Sequence, residues 1–310
     1  MPINNWTDTT FAEKFTGELD KLFVQGAVTG FLADNVLRAK FVGAKTVLIP
    51  EMELSGLGDY DRDTGFVRGA IGVSNTSCTL SQDRGRSFQI DREDEDETGI
   101  ANLAGQVMGE FVRTRVVPEV DAYCLSKLAG LAVTKGHTIA VPSGKTIENA
   151  VLTMFNTGCT AVQNEVGFDE QLVCFVNPTV WAAIQNSQEL TRTMVVSDFK
   201  KGGIDTKVKT INGVAILPVS DARMKSAYTF FDGTTSGEEA GGFDPADNAK
   251  NVGMIIMPKN AASLVKKTEK VRTFSPDQNQ AADAYKFDYR AYYDLFVKNS
   301  KMDAIYAYTY

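Results

Sequence analysis

The sequence predicts an α+β chain, on three observations. An amphipathic helical pattern of unusual length runs from the acids at Asp91 to Val133. A second run, Tyr285 to Val297, alternates apolar and polar residues, and a period of two marks a long half-buried strand. Between them, from Gly136 to about Asn251, short helix and strand signals mix. The composition suits a folded protein: 310 residues, 43% hydrophobic and 23% charged, with 26 Gly and 9 Pro.

Residues 1–44 read as an arm. Phe11, Phe15, Leu19, Leu22 and Phe23 recur at helical spacing, which predicts a short amphipathic helix. Gly26 and Gly30 interrupt it before Phe31, Leu32, Val36 and Leu37 resume the apolar stripe. So short a stretch cannot close a core alone and must pack against something else. Residues 45–90 read as a long hairpin, with Lys45–Pro50 as one strand and Cys78–Gln82 plus Ser87–Ile90 as its return. The Gly- and Asp-rich stretch Gly56–Gly65 is its tip. Two-stranded ribbons are marginal alone, so this one is expected to rest on a neighbour.

The helix follows. Asp91, Glu93, Asp94, Glu95, Asp96 and Glu97 precede a stripe at Ile100, Leu103, Val107 and Phe111, resumed at Val117, Val120, Cys124, Leu128 and Leu131. Carboxylates there offset the helix macrodipole, and Pro118 is expected to kink or split the helix. A continuous run of about 37 residues would span roughly 55 Å, more than one compact domain needs. Small residues at Ala101, Ala104, Gly105 and Gly109 leave room for a close neighbour.

Residues 137–250 read as a separate mixed lobe. Thr146–Gln163 is a second amphipathic helix and Gln171–Val176 a buried strand. Asn177 is a fair N-cap, with Pro178 at the first helical position. Lys207–Pro218 reads as a hairpin turning at Asn212-Gly213, and 232–250 as a loop. From 251 onward the chain returns to strands. Val252–Met257 is one, and Asn260–Val271 reads as a helix with a basic face of Lys266, Lys267, Lys270 and Arg272. In the long alternating strand, Tyr285, Phe287, Tyr289, Ala291, Tyr293, Leu295 and Val297 share one face. Lys286, Asp288, Arg290, Asp294 and Lys298 take the other, and Met302–Tyr310 continues the strand.

Charge and motifs exclude several functions. Thirty-nine acids against 32 bases leave a net charge of −7, which argues against a dedicated nucleic-acid binder. No apolar run approaches the ~20 residues that cross a bilayer as a helix, and the first residues lack a secretion-signal layout. One His and four scattered Cys (Cys78, Cys124, Cys159, Cys174) exclude most zinc sites and every His-centred triad. The thiols read as buried and reduced, and His137 as a packing or surface residue. An EF-hand loop starting at Asp59 would need Gly and Glu where Thr64 and Ala70 stand. Gly144-Lys-Thr146 lacks the upstream glycine of a phosphate loop, since position 139 is Ile139. The acids Asp91–Glu97 could serve glycoside hydrolysis, but crowded at a helix start they read as a solvated cap. No nucleophile, base and oxyanion site assemble, so neither an enzyme nor a cofactor or metal is expected.

Arm, projecting hairpin, over-long helix, mixed lobe and returning strands form an order that resembles the major capsid protein of tailed bacteriophages, the HK97-like fold, over essentially the whole chain. The segments that carry the likeness are Ser55–Phe66, Gln82–Asp91 and Gly109–Tyr123. The resemblance implies an N-terminal arm at 1–44 and an extended loop at 45–90. It implies a peripheral domain at 91–136 and 251–310, with the long helix as its spine, and an axial domain at 137–250. It further implies self-assembly into pentamers and hexamers of an icosahedral head enclosing double-stranded DNA. The expected partners are sister copies, a separate scaffolding protein, a portal, and DNA held by weak non-specific contact. Assembly in the host cytoplasm into a virion, without a membrane, is expected. The separate scaffold is expected because no scaffolding segment precedes the arm. No immunoglobulin-like decoration insert is evident.

Charge suggests how copies meet. Residues 91–133 hold nine acids against four bases, and 260–310 eight bases against six acids. The hairpin arginines Arg62, Arg68, Arg84 and Arg86 are expected to face Asp94, Glu95 and Glu97 of an adjacent copy, with Phe11 and Phe15 as arm contacts. Exposed pairs are worth about 0–1 kcal/mol each, so they would set register more than strength. Two other readings stand beside the phage head: an encapsulin-type nanocompartment shell with the same fold, and a carbohydrate-active enzyme using Asp91–Glu97. Some family shells are joined covalently by a hairpin Lys, but no Lys lies between Thr46 and Glu97. Particles of this chain are therefore expected to fall apart into single chains of 33.8 kDa when boiled in detergent, as gel electrophoresis would show.

Overall fold

The structure, a computed structural model, describes residues 26–33, 40–42, 45–63, 65–91, 103–187, 194–201 and 204–310. Its backbone is one long helical rod. Helix α1 (Leu103–Phe111) runs through a π-helical turn, Val112–Val116, directly into α2 (Val117–Lys135). Together they extend roughly 50 Å. Pro118 does not split the rod: the wider turn just before it already displaces the regular hydrogen bonds, so the missing N–H is absorbed there. Gly136 ends α2 in the left-handed region (φ 75°), a conformation glycine adopts without strain.

The described residues form four sheets. The projecting ribbon contains β1 (Lys40–Val42), β2 (Thr46–Leu54) and β3 (Ile71–Thr79), all antiparallel. The second sheet, in the order β12-β13-β4, joins β4 (Gln82–Asp91), β12 (Ala262–Phe274) and β13 (Ala284–Val297). The third comprises β5 (Leu172–Val176), β6 (Met194–Lys201), β7 (Ile204–Ile211), β8 (Val214–Pro218), β11 (Val252–Pro258) and β14 (Tyr306–Thr309). Its order is β14-β11-β5-β8-β7-β6, with β5 and β8 parallel. A small pair, β9 (Tyr228–Phe230) and β10 (Phe243–Pro245), completes the set.

Several expected elements are present. Helix α3 (Ile147–Val166) covers the third sheet, and α4 (Pro178–Asn186) starts where Asn177 accepts the Val180 N–H at 2.9 Å. Asn212 (φ 51°) and Gly213 (φ 80°) make the β7–β8 turn, as two left-handed residues in a tight hairpin must.

Other expectations need correction. The expected helix over 260–271 is absent: after a turn, residues 262–271 are the first part of β12, paired with β13 from Ala262↔Val297 to Phe274↔Lys286. Lysines at helical spacing misled because a bulge between Lys266 and Thr268 breaks the strand alternation. Strand β4 is not the return of the hairpin: it leaves the ribbon at Leu80 and pairs with β13 along its length. Asp91 therefore ends a strand rather than starting a helix, and the remaining acids of that run lie outside the described residues. A 3-10 turn at Asn299–Ala304 interrupts the C-terminal strand, and β14 joins the third sheet instead. Strand β11, beyond residue 251, hydrogen-bonds to β5, so the sheet runs through the expected lobe boundary. The stretch 232–250 is a loop except for β10.

The largest core lies where α2 meets β11 and β13, with Cys124, Leu128, Ile255, Met257 and Leu295 all buried. Part of the arm enters this core, so what it packs against is, for these residues, its own subunit. Ala27, Phe31 and Leu32 are at most 1% exposed, and the Phe31 ring stacks 6.1 Å from that of Phe175. The segment plugs a gap in its own subunit because Asp121, 0% exposed on α2, draws it in. The Val28 and Thr29 N–H groups and the Thr29 hydroxyl donate to its carboxylate at 3.0, 2.9 and 2.6 Å, and Arg223 Nη1 donates at 3.1 Å. The expected arm helix lies outside the described residues.

Removing one partner of a buried ion pair leaves the other charge stranded. Asp121→Ala is expected to lower subunit stability by about 3 kcal/mol in urea unfolding. Arg113→Ala, at an exposed pair with Glu110, should change it by less than about 0.5 kcal/mol.

Candidate functional site: the projecting hairpin and its root

The ribbon is built by strict pairing. β2 and β3 match from Thr46↔Thr79 to Leu54↔Ile71, and the neck is closed by Ser55. Its hydroxyl donates to the Ala70 carbonyl at 3.1 Å and accepts the Ala70 N–H at 2.8 Å. Beyond the neck, Asp61 and Gly65 pair across the tip, and the Asp63 N–H donates to the Asp61 carboxylate at 2.6 Å. Asp61 thus serves its own turn. Among the described residues no group of three or more His, Cys, Asp or Glu is placed to hold a metal. Arg62 and Arg68 lie exposed on this tip beside Leu57, Tyr60, Phe66 and Val67, which are also exposed.

The root is anchored by a second buried carboxylate, Asp294 on β13, 2% exposed. Ser81, the first residue after the ribbon, donates to it from its N–H at 3.1 Å and its hydroxyl at 3.0 Å. The Tyr123 hydroxyl of α2 donates at 2.6 Å, and Lys127 completes an ion pair. Burial first, then the bond to Asp294, pushes the Tyr123 phenol well above its ordinary pKa. Val47, Ile49, Leu80, Tyr292 and Phe296 form a small core around these contacts. The sequence pattern set Asp294 on the polar face of its strand, but the ribbon's root covers that face, so both faces of β13 are buried here.

Arg84 and Arg86 do not sit at the tip. Both lie on β4, facing a cleft of about 740 Å3 between the rod and the loop that joins β9 to β10. Arg84 grips three segments of its own subunit. Nε donates to Glu119 Oε1 at 2.6 Å, Nη1 to the Phe231 carbonyl at 2.6 Å, and Nη2 to the Gly242 carbonyl and Glu119 Oε2 at 3.2 Å. Burial opposes its charge most strongly, but the Glu119 hydrogen bonds and the negative charge of Glu119 together with that of neighbouring acidic groups outweigh it and hold its pKa above the ordinary arginine value. Arg86 donates through both Nη atoms to the Glu239 carbonyl at 3.1 Å. Next to them, Asp83 is held below the usual carboxylate range by its bonds to Arg290. Gly85 lets β4 lie this close to β13, since a Cβ there would come within 2.8 Å of the Tyr289 carbonyl.

The structure therefore separates the residues that sequence reasoning grouped. Arg62 and Arg68 are on the projecting surface. Arg84 is committed to an intrachain staple by the carboxylate beside it, and Arg86 borders the same cleft. Asp94, Glu95, Glu97, Phe11 and Phe15 lie outside the described residues. Sequence reasoning missed Asp121, Tyr123 and Asp294. The available signal was a carboxylate beside the apolar stripe of α2 and another between Tyr293 and Leu295.

Two outcomes follow. Trypsin should cut free subunits at Arg62 and Arg68, because exposed loop tips are preferred sites of nicking; cleavage confined to other sites would contradict the projecting tip. Arg84→Glu would face Glu119 and is expected to destabilise the isolated subunit by about 3 kcal/mol. Arg86→Glu should stay within roughly 1 kcal/mol of the parent in the same unfolding measurement.

No family model matches the chain, and no curated protein matches it in sequence. Solved structures do. A capsid structure of the cyanophage P-SCSP1u superposes with a TM-score of 0.56 at 14% identity, over 87% of this chain and 84% of that one. The mature capsid of bacteriophage PhiM1 gives 0.52 at 16%, over 86% and 82%. A virus-like particle from Pyrococcus furiosus gives 0.50 at 11%, over 96% and 99%. At identities this low the likeness shows the fold alone: the chain has the HK97-like fold seen in phage capsids.

Proposed function

We propose that this chain is a major capsid protein, which assembles into pentamers and hexamers of an icosahedral phage head around double-stranded DNA. The observation that carries the reading is the ribbon: on a fold shared with capsid shells, it holds Met52, Leu54, Ile71 and Val73 at 67, 67, 72 and 68% exposure. Apolar side chains gathered on a projecting segment mark a surface that a partner covers. Sister copies are the partner that a closed shell supplies. A separate scaffolding protein, a portal and assembly in the host cytoplasm belong to the same reading. The net charge of −7 suits a container whose duplex must slide and leave, since a basic lining would bind the phosphates. The role is structural rather than catalytic.

A second reading keeps the fold and changes the cargo. The near full-length match to the Pyrococcus particle, 96% of this chain against 99% of that one, favours an encapsulin-type shell around an enzyme.

Electron microscopy of the purified, concentrated protein tests both. Closed shells are expected, with nuclease-resistant double-stranded DNA inside particles recovered from infected cells. Shells carrying a co-purifying enzyme and no nucleic acid would favour the second reading. A protein that stays a monomer at every concentration would exclude both.

A further inference from the structure

We infer that the loop from Phe231 to Gly242, which joins β9 to β10, is a hinged strap over the cleft: Arg84 holds its hinge and Arg86 latches its middle. The inference concerns the single subunit and does not depend on the capsid reading.

The two ends of the loop meet and are fixed to the rod. The Phe231 N–H donates to the Gly242 carbonyl at 3.0 Å. The Arg84 guanidinium donates to the Phe231 and Gly242 carbonyls together, while its Nε and Nη2 bind Glu119 of α2. Between these ends the loop bonds to itself. The Asp232 carboxylate accepts the N–H groups of Thr234 and Thr235 at 2.7 and 2.8 Å, and the Thr235 hydroxyl at 2.7 Å. The Asp232 N–H donates to the Glu238 carboxylate at 3.1 Å. The Glu238 and Gly241 N–H groups donate to the Thr235 and Glu238 carbonyls, both at 2.8 Å. A loop with its ends together and its polar groups paired internally is a compact unit of the Ω type.

Its hold on the body is thin by comparison. Among the described residues, the one hydrogen-bonded tie from the body to residues 232–241 is Arg86, whose two Nη atoms donate to the Glu239 carbonyl at 3.1 Å. Gly233 and Gly241 leave the slot that this guanidinium occupies, since a Cβ on them would lie 3.2 and 3.5 Å from Nη1. The acceptors differ along the sheet. Arg84 and Arg290 each engage a carboxylate, Glu119 and Asp83, whereas Arg86 is exposed and engages a neutral carbonyl. Breaking that contact returns both groups to water and strands no buried charge. The Arg86 contact is therefore the one that opens first. The rings of Phe88, Phe111 and Tyr289 line the cleft, edge to face at 4.9 and 5.6 Å, so a swing of the strap changes their exposure. Strand β4 carries both arginines and follows directly on Ser81 at the ribbon's root, which gives strap and ribbon one support.

Arg86→Ala tests the latch on the free, full-length subunit. Hydroxyl-radical oxidation of Phe111 and Tyr289, read by mass spectrometry, is expected to rise roughly tenfold, the change in open population that follows from losing one charge-assisted bond. Arg86→Lys keeps the cation without the fork, so its rise should be smaller, and it carries the test by itself if the alanine variant does not fold. Hydrogen exchange at Thr235, Glu238 and Gly241 should stay within about threefold of the parent, because a strap that swings keeps its internal bonds. Oxidation of both rings at the parent rate in these variants would overturn the strap. Loss of exchange protection throughout 232–241 would overturn it too, since the loop would then unravel in place rather than swing.

Discussion

The buried carboxylate of Asp121 is the contact on which the subunit's unity depends, because it sits on the rod and ties down chain from two distant places. It takes hydrogen bonds from Val28 and Thr29 on one side and from Arg223 on the other. Glu119, Tyr123 and Lys127 repeat the device on neighbouring turns, holding Arg84 and the ribbon's root. A helix that presented only apolar residues would pack against its sheets yet leave these segments free to slide, since burial is non-directional. Directed charge-assisted bonds supply registration that burial does not.

This arrangement separates a satisfied interior from an unsatisfied projection. Among the described residues, only Nδ1 of His137 is a buried side-chain polar atom without a partner, and that ring stacks on Tyr306. The three buried thiols are suppressed as well: burial pushes Cys159 up to about 12 and raises Cys124 and Cys174 well above the ordinary thiol value, so none of these three is a thiolate at neutral pH. The unmet demand of the molecule is concentrated in the ribbon, whose apolar residues face outward. A body stable by itself and an appendage that is not are what a protein requires if it must stay soluble first and assemble later.

How much was legible in the sequence depended on whether the deciding contact was local. The helices around Ile147–Val166 and Pro178–Asn186 and the Asn212-Gly213 turn were readable because their caps and periods lie within a few residues. The alternating strand at Ala284–Val297 was readable too, since fourteen residues of pattern leave little ambiguity. Strand β12 was not, because its lysines fit a helical spacing and only β13, a separate segment, makes it a strand. The pairing of β4 was equally hidden, for nothing near Gln82 announces a partner some two hundred residues away. The projecting hairpin was legible from its turn-rich centre. Its anchors were not: Asp121 and Asp294 look like surface acids until the arm and the ribbon's root are laid over them.

The lack of lysine in the β2–β3 hairpin has a use in the laboratory. Activated esters and aldehydes couple to primary amines, and from Thr46 to Glu97 the chain offers none. Reagents of that kind would attach instead to the lysines elsewhere on the body, such as those of β12. A dye, a sugar or a polymer could therefore be grafted onto the body without directly modifying the β2–β3 hairpin.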